Sequence, residues 1–158
     1  MTGTSFTLLA PTYGPGYAAL LRALSKLCTH CSLTVRDFDR TNGKVLSFLE
    51  KVRSYEVNRA SVQEWPGTRL SGDQTADLYM YKVTDDLLDI MTRDIPSLFS
   101  WITPDLPEDP CFYRMDGRVV LGTISHDMDW FLEVSDSELS YLTDAVPDLE
   151  ITRSLPEP

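Results

Sequence analysis

The densest group of potentially reactive side chains lies between Ser125 and Trp130. A histidine, two carboxylates and a large aromatic side chain occur together here, because His126 is followed by Asp127 and Asp129. Two carboxylates on one side of a strand could bind a hard cation or act as a base with an electrostatic partner, and a nearby imidazole could transfer protons. His126, Asp127 and Asp129 are therefore the candidate catalytic residues.

The same segment also has a purely structural interpretation. In a polar turn, Asp127 or Asp129 would bond its own backbone, and His126 would pack at the rim. A metal site usually takes three or more ligands from separate segments, and a His-Asp-x-Asp run supplies too few of them. We expect a structural turn with no resident metal ion.

Four further side chains are candidates for binding. Trp65 and Arg69 flank a Pro-Gly turn, and Trp and Arg carry most of the binding energy where they cluster in interfaces. Arg114 and Trp130 lie close in sequence to the His126 turn. The alternative for Trp65 is a hydrophobic plug beneath its loop.

The segment from Cys28 to Cys31 has the spacing of zinc ligands and redox dithiols. Here Cys28 ends a predicted helix, so its thiolate would lack the stabilising positive end of a helix dipole. Zinc would also need ligands from elsewhere, with Cys111 as one candidate. We expect buried, reduced thiols and no cofactor.

Apolar spacing predicts the elements of the amino-terminal part. Apolar side chains recur every three or four residues after Pro15 and after Asn42, which predicts two helices. Asn42 and Thr84 are suitable helix caps, and residues 56–63 could form a strand or the end of a helix. We expect strands at 5–9, 31–36 and 75–83, and helices at 15–28, 43–52 and 85–95.

The carboxyl-terminal part predicts a β-meander followed by a capped helix. Asp116-Gly117 is typical of a two-residue hairpin turn, and Ser135 with Glu138 matches a capping box. We expect a single α+β domain over residues 1–158, with a mixed, largely antiparallel sheet of about six strands, helices packed on it and a loosely held tail at 147–158. The expected meander strands are 111–115, 118–124 and 130–134.

Composition is that of an ordinary globular protein. Of the 158 residues, 42% are apolar and 24% are charged, which argues against disorder. No apolar run approaches the roughly 20 residues that a membrane helix needs. The amino-terminal segment lacks a basic stretch before its apolar residues, so it does not match a secretory signal. We expect a cytoplasmic protein with no membrane partner.

Charge is distributed unevenly along the chain. Residues 1–83 contain 10 Lys or Arg and 7 Asp or Glu, whereas residues 84–158 contain 4 and 17, giving a net charge of -10. An acidic half of this kind repels phosphate, which argues against extended nucleic-acid binding unless the basic residues between Arg36 and Arg59 form one face. It would either aid solubility or attract a basic partner electrostatically.

Three segments resemble a small family of uncharacterised bacterial proteins. They are a Trp-Pro-Gly-Thr turn from Trp65, a Leu-Pro-Glu-Asp run from Leu106 that leads into a hairpin, and an Ile-Ser-His step from Ile124. The resemblance implies a bacterial, soluble, single-domain protein. It implies neither catalytic residues nor a cofactor.

Two hypotheses for function remain open. The leading one is a non-catalytic, acidic interaction protein of the inhibitor or immunity type that binds a basic protein partner. The alternative is a small hydrolase or nucleotide-handling enzyme that uses the turn of His126, Asp127 and Asp129. Substrate, partner identity and oligomeric state do not follow from the sequence.

Overall fold

The computed structural model of the protein describes residues 4–8 and 13–153. Within these residues the chain forms four α-helices and ten β-strands. The helices are α1 (Pro15–Leu24), α2 (Gly43–Val52), α3 (Asp85–Thr92) and α4 (Asp136–Ala145). The strands are β1 (Thr4–Leu8), β2 (His30–Arg36), β3 (Glu56–Val62), β4 (Glu64–Trp65), β5 (Thr68–Arg69), β6 (Ala76–Lys82), β7 (Glu108–Tyr113), β8 (Val119–Ile124), β9 (Asp129–Val134) and β10 (Ile151–Arg153).

The main sheet has eight strands in the order β10-β1-β9-β8-β7-β2-β6-β3. Each described pair of neighbouring strands is antiparallel. The α+β class and the meander β7-β8-β9 are confirmed, but the expected size of about six strands is wrong, and no described pair gives the sheet a mixed character. The two additional strands lie at the edges of the sheet. One is β3, in the segment 56–63 for which the sequence allows either a strand or the end of a helix, and the other is β10, which the sequence does not predict.

The strand β10 lies within the segment predicted to be a loosely held tail. Its residues pair with β1, with Thr152 opposite Thr7, and Leu149 just before it is buried. The last residues of that tail, 154–158, lie outside the described residues. In the described part, the carboxyl-terminal segment therefore supplies one edge of the sheet.

Three of the helices begin at side-chain caps that the sequence predicts. Asn42 accepts hydrogen bonds from the backbone N–H groups of Lys44 and Val45, and Thr84 accepts one from Leu87. The capping box of α4 is also present, since Ser135 and Glu138 each accept the other's backbone N–H. Each cap satisfies N–H groups that a helix cannot pair internally.

The four helices form one connected layer over the sheet. The hydroxyl of Tyr17 on α1 donates to the carbonyl of Met91 on α3, and Tyr141 on α4 donates to the carbonyl of Ala23. Phe48 on α2 and Trp101 pack with their rings nearly perpendicular, and the indole N–H of Trp101 donates to Tyr17. None of the described helices is both long and apolar enough to cross a membrane.

Different elements pack on the two faces of the sheet. Phe112, Leu121 and Leu132 are aligned across β7, β8 and β9, and all three belong to the hydrophobic core shared with the helices. Residues one step along, such as Gly122 and Phe131, pair on the opposite face. The β4-β5 hairpin packs there, because a Cβ at Gly67 would come within 2.7 Å of Ile124.

The turn between β7 and β8 is one residue longer than expected. The backbone N–H of Gly117 donates to the carbonyl of Arg114, and the N–H of Arg114 donates to Arg118. Gly117 has a φ of 89°, a left-handed conformation that glycine adopts without strain. The prediction of a two-residue turn is therefore wrong: Met115, Asp116 and Gly117 form a three-residue loop.

We predict that Gly122→Ala destabilises the fold by about 1–3 kcal/mol, because an added Cβ would overlap the ring of Phe131. Gly43→Ala is the matched control, since a Cβ at Gly43 meets nothing within 4 Å at the start of α2. The control variant should be at least as stable as the natural chain. Urea unfolding measures both, and equal stability of the two variants would contradict the predicted close contact.

Candidate functional site

A bulge in β7 shapes the most unusual site of the molecule. Ser32 on β2 is opposite Cys111, whereas Thr34 is opposite Glu108, so β7 carries one extra residue between these pairs. Asp109 lies in this bulge with a φ of 55°, a conformation that is uncommon for a residue other than glycine. Bulges of this kind redirect side chains, and Glu108 and Asp109 are both buried.

The carboxylate of Asp109 connects two other segments to the sheet. One oxygen, Oδ2, accepts a hydrogen bond of 2.8 Å from the indole N–H of Trp65 in the β4-β5 hairpin. The other oxygen, Oδ1, accepts one of 2.8 Å from the backbone N–H of Ser125. The structure therefore places the Trp65 loop beside the turn that contains His126.

Glu108 is buried next to this junction, and its side chain is only 1% exposed. Burial raises the pKa of its carboxyl, and the neighbouring Asp109 adds to the rise, while His126 and Arg36 oppose it. The oxygen Oε1 lies 4.0 Å from Nε2 of His126, too far for a hydrogen bond. Glu108 therefore has a carboxyl that binds a proton more readily than an exposed glutamate does.

The predicted catalytic turn has a different local geometry from a strand. Residues 125–127 form a single turn of 3-10 helix, and Met128 has a φ of 51°. The alternation that would place Asp127 and Asp129 on one face therefore does not apply. Both carboxylates are exposed, and Asp129 accepts the backbone N–H of Trp130, which agrees with the structural interpretation of this turn.

Trp65 is buried, whereas Arg69 is not. The guanidinium of Arg36 lies 5.4 Å from the centre of the Trp65 ring and also faces the exposed ring of Phe38. Arg36 and Phe38 line a groove of about 560 Å³ that borders this junction. Arg69 is exposed and forms a surface ion pair with Glu64 at 3.5 Å.

The other two predicted binding residues have partners within the fold. Arg114 donates two hydrogen bonds to the carboxylate of Glu138, at 2.6 and 2.8 Å, and a third to the carbonyl of Glu133. Arg114 thereby anchors the first turn of α4. Trp130 is buried, and its ring packs against Phe99 with 5.3 Å between the ring centres.

The three cysteines are free and buried. Burial raises the pKa of Cys28 and of Cys111 to about 12, and it raises the pKa of Cys31 as well, so the thiols stay protonated at neutral pH. Protonated thiols are poor nucleophiles and poor metal ligands. Across residues 4–8 and 13–153, no group of three or more His, Cys, Asp or Glu side chains is arranged to hold a metal ion.

Sequence reasoning missed Glu108 and Asp109 as site residues. Both precede the predicted start of the strand at Cys111, between Pro107 and Pro110, and such residues are depleted in strands. The available signal was a pair of adjacent carboxylates directly before an apolar strand.

Comparisons with known proteins add no assignment: no family model matches the chain, and no curated protein or solved structure is significantly similar to it. The resemblance of the Trp65, Leu106 and Ile124 segments to a bacterial family therefore stays a prediction.

We predict a specific pH dependence from the ion pair of Arg114 and Glu138. The hydrogen bonds from Arg114 lower the pKa of Glu138 to about 2, below its unfolded value of 4.5. A carboxyl with a lowered folded pKa stabilises the fold above its unfolded pKa, and this contribution is lost as the pH falls from about 5 towards about 2. Its size is about 1–2 kcal/mol after screening by solvent.

Urea unfolding at a series of pH values measures this contribution. Arg114→Ala should flatten the loss of stability on acidification, because the pKa of Glu138 returns towards its ordinary value. Arg22→Ala is the control, since its ion pair with Asp89 is half exposed and should contribute little. An unchanged acid dependence in Arg114→Ala would refute the assignment.

Proposed function

We propose that the protein is a non-catalytic interaction protein of the inhibitor or immunity type, which binds a basic protein partner in the cytoplasm. The observation that carries the proposal is a single stretch of chain: residues 119–152 contain eight Asp or Glu and no Lys or Arg. Such a segment has no basic side chain of its own to neutralise it. It attracts positive charge over about one Debye length, roughly 10 Å at 0.1 M salt.

The fold exposes most of these carboxylates. Asp127 and Asp129 are exposed at the turn between β8 and β9, and Asp144 is exposed on α4. Asp148 and Glu150 are exposed between α4 and β10. We call this set the acidic segment, and a partner with a basic surface would find at least five carboxylates available on it.

We expect a partner captured from a bacterial lysate at low salt to be released at high salt, because exposed charge pairs are screened. The variant Asp127→Asn, Asp129→Asn, Asp144→Asn, Asp148→Asn should fail to retain it. The measurement is retention on immobilised protein, with bound proteins identified by mass spectrometry.

A matched control separates the segment from net charge. The variant Asp85→Asn, Asp86→Asn, Asp94→Asn, Asp105→Asn removes the same number of exposed carboxylates elsewhere. It should retain the partner. Equal loss in both variants would mean that only total charge matters, and a lysate with no salt-sensitive partner would defeat the proposal.

A small hydrolase or nucleotide-handling enzyme is the second candidate, and one observation favours it. Glu108, with its raised pKa, lies beside His126, and such a carboxyl is suited to general acid catalysis. We expect any hydrolysis of phosphate or carboxylate esters to fall by at least about 100-fold in His126→Ala and Glu108→Gln, as expected for loss of an acid or base. Activity that survives in both variants would exclude this site.

A further inference from the structure

Unpartnered polar atoms are concentrated around the bulge of β7. Among the described residues, four buried side-chain oxygens accept no hydrogen bond and donate none. Buried polar groups without partners are rare and costly. One of the four, the hydroxyl of Tyr81, lies elsewhere on the sheet. The other three are Oγ1 of Thr34, Oε1 of Glu108 and Oγ of Ser125.

These three residues are neighbours in the fold. Thr34 on β2 is directly opposite Glu108 on β7 in the sheet register. Ser125 is linked to the same bulge, because its backbone N–H donates to Asp109. Thr34, Glu108 and Ser125 are each at most 1% exposed. The three residues are thus connected to the same bulge, through one strand pairing and one hydrogen bond.

The charge at this point is negative and incompletely compensated. Glu108 and Asp109 are adjacent carboxyls, and both bonds drawn to Asp109 come from neutral N–H groups. The nearest imidazole, that of His126, stays 4.0 Å from Oε1 of Glu108. The guanidinium of Arg36 faces the ring of Trp65; it offsets part of the charge of Glu108 from a distance but forms no ion pair with a described carboxylate.

An ammonium group matches these features more closely than other ligands. It carries one positive charge and three N–H donors and has no acceptor. A carboxylate or phosphate would be repelled by the two carboxyls, and a neutral hydroxyl would leave the charge uncompensated. A guanidinium is planar, whereas an ammonium directs its three donors to separate points.

We propose that Thr34, Glu108 and Ser125 form a binding site for a primary ammonium group, in which each of the three side-chain oxygens accepts one N–H. This site is independent of the acidic segment, which attracts a partner only through long-range charge. His126 is the exposed neighbour of this site, because its side chain is 47% exposed and its Nε2 lies 4.0 Å from Oε1 of Glu108.

The test titrates the whole chain with methylammonium while following backbone and indole N–H signals by NMR. Saturable shifts are expected at the N–H of Ser125 and at the indole N–H of Trp65, because both donate to Asp109 beside the site. Tetramethylammonium carries the same charge but has no N–H donors. It should cause no saturable shift at these signals.

Variants separate the site from the surrounding charge. Glu108→Gln should weaken methylammonium binding by at least about 10-fold, and Thr34→Val by about 3- to 10-fold, as expected for lost charged and neutral hydrogen bonds. Asp127→Asn with Asp129→Asn removes the exposed carboxylates of the neighbouring turn and should change it by less than about 2-fold. If Glu108→Gln fails to fold, the affinity of Thr34→Val for methylammonium still tests the site.

Several results would overturn the proposal. They are an absence of saturable shifts with methylammonium, equal shifts with tetramethylammonium, and unchanged affinity in both site variants. A second arm uses N-acetyl-lysine methylamide to identify the source of the ammonium. Binding of both compounds supports a lysine side chain of a protein as the ligand, whereas binding of methylammonium alone supports a small free amine.

Discussion

The carboxylate of Asp109 holds together three parts of the chain that the hydrogen bonds of the sheet would leave separate. It binds the indole of Trp65 and the backbone of Ser125, so the β4-β5 hairpin and the turn after β8 are both fixed to the bulge in β7. The left-handed backbone of Asp109 costs about 1–3 kcal/mol. Two bonds to a charged group contribute about 1.5–3 kcal/mol each, which outweighs that cost.

Features determined by neighbouring residues are those that the sequence predicts well. The caps at Asn42 and Thr84 and the capping box of α4 depend on contacts within four residues, and all of them are present. The hairpin between β7 and β8 is also present, but its length depends on a bulge that the Asp-Gly pair does not encode. The edge strand β3 was undecided, because its residues are largely exposed and give no periodic burial pattern.

The candidate site was harder to predict, because long-range packing creates it. Asp127 and Asp129 are the candidates that the sequence suggests, yet both are exposed. Glu108 and Asp109 are buried, because β2 and the Trp65 hairpin cover them. The link between the Trp65 loop and the His126 turn has the same origin. Trp65 and Asp109 are 44 positions apart, so no local pattern reveals their hydrogen bond.

The position of β1 has a consequence for the order of events during synthesis. This strand precedes every other described element, yet its sheet neighbours are β9 and β10. More than a hundred residues must leave the ribosome before β1 can pair, whereas β2 can pair with β6 much earlier. Such distant pairing is slow, and the edge of the sheet at β1 can close only after residue 134 has been synthesised.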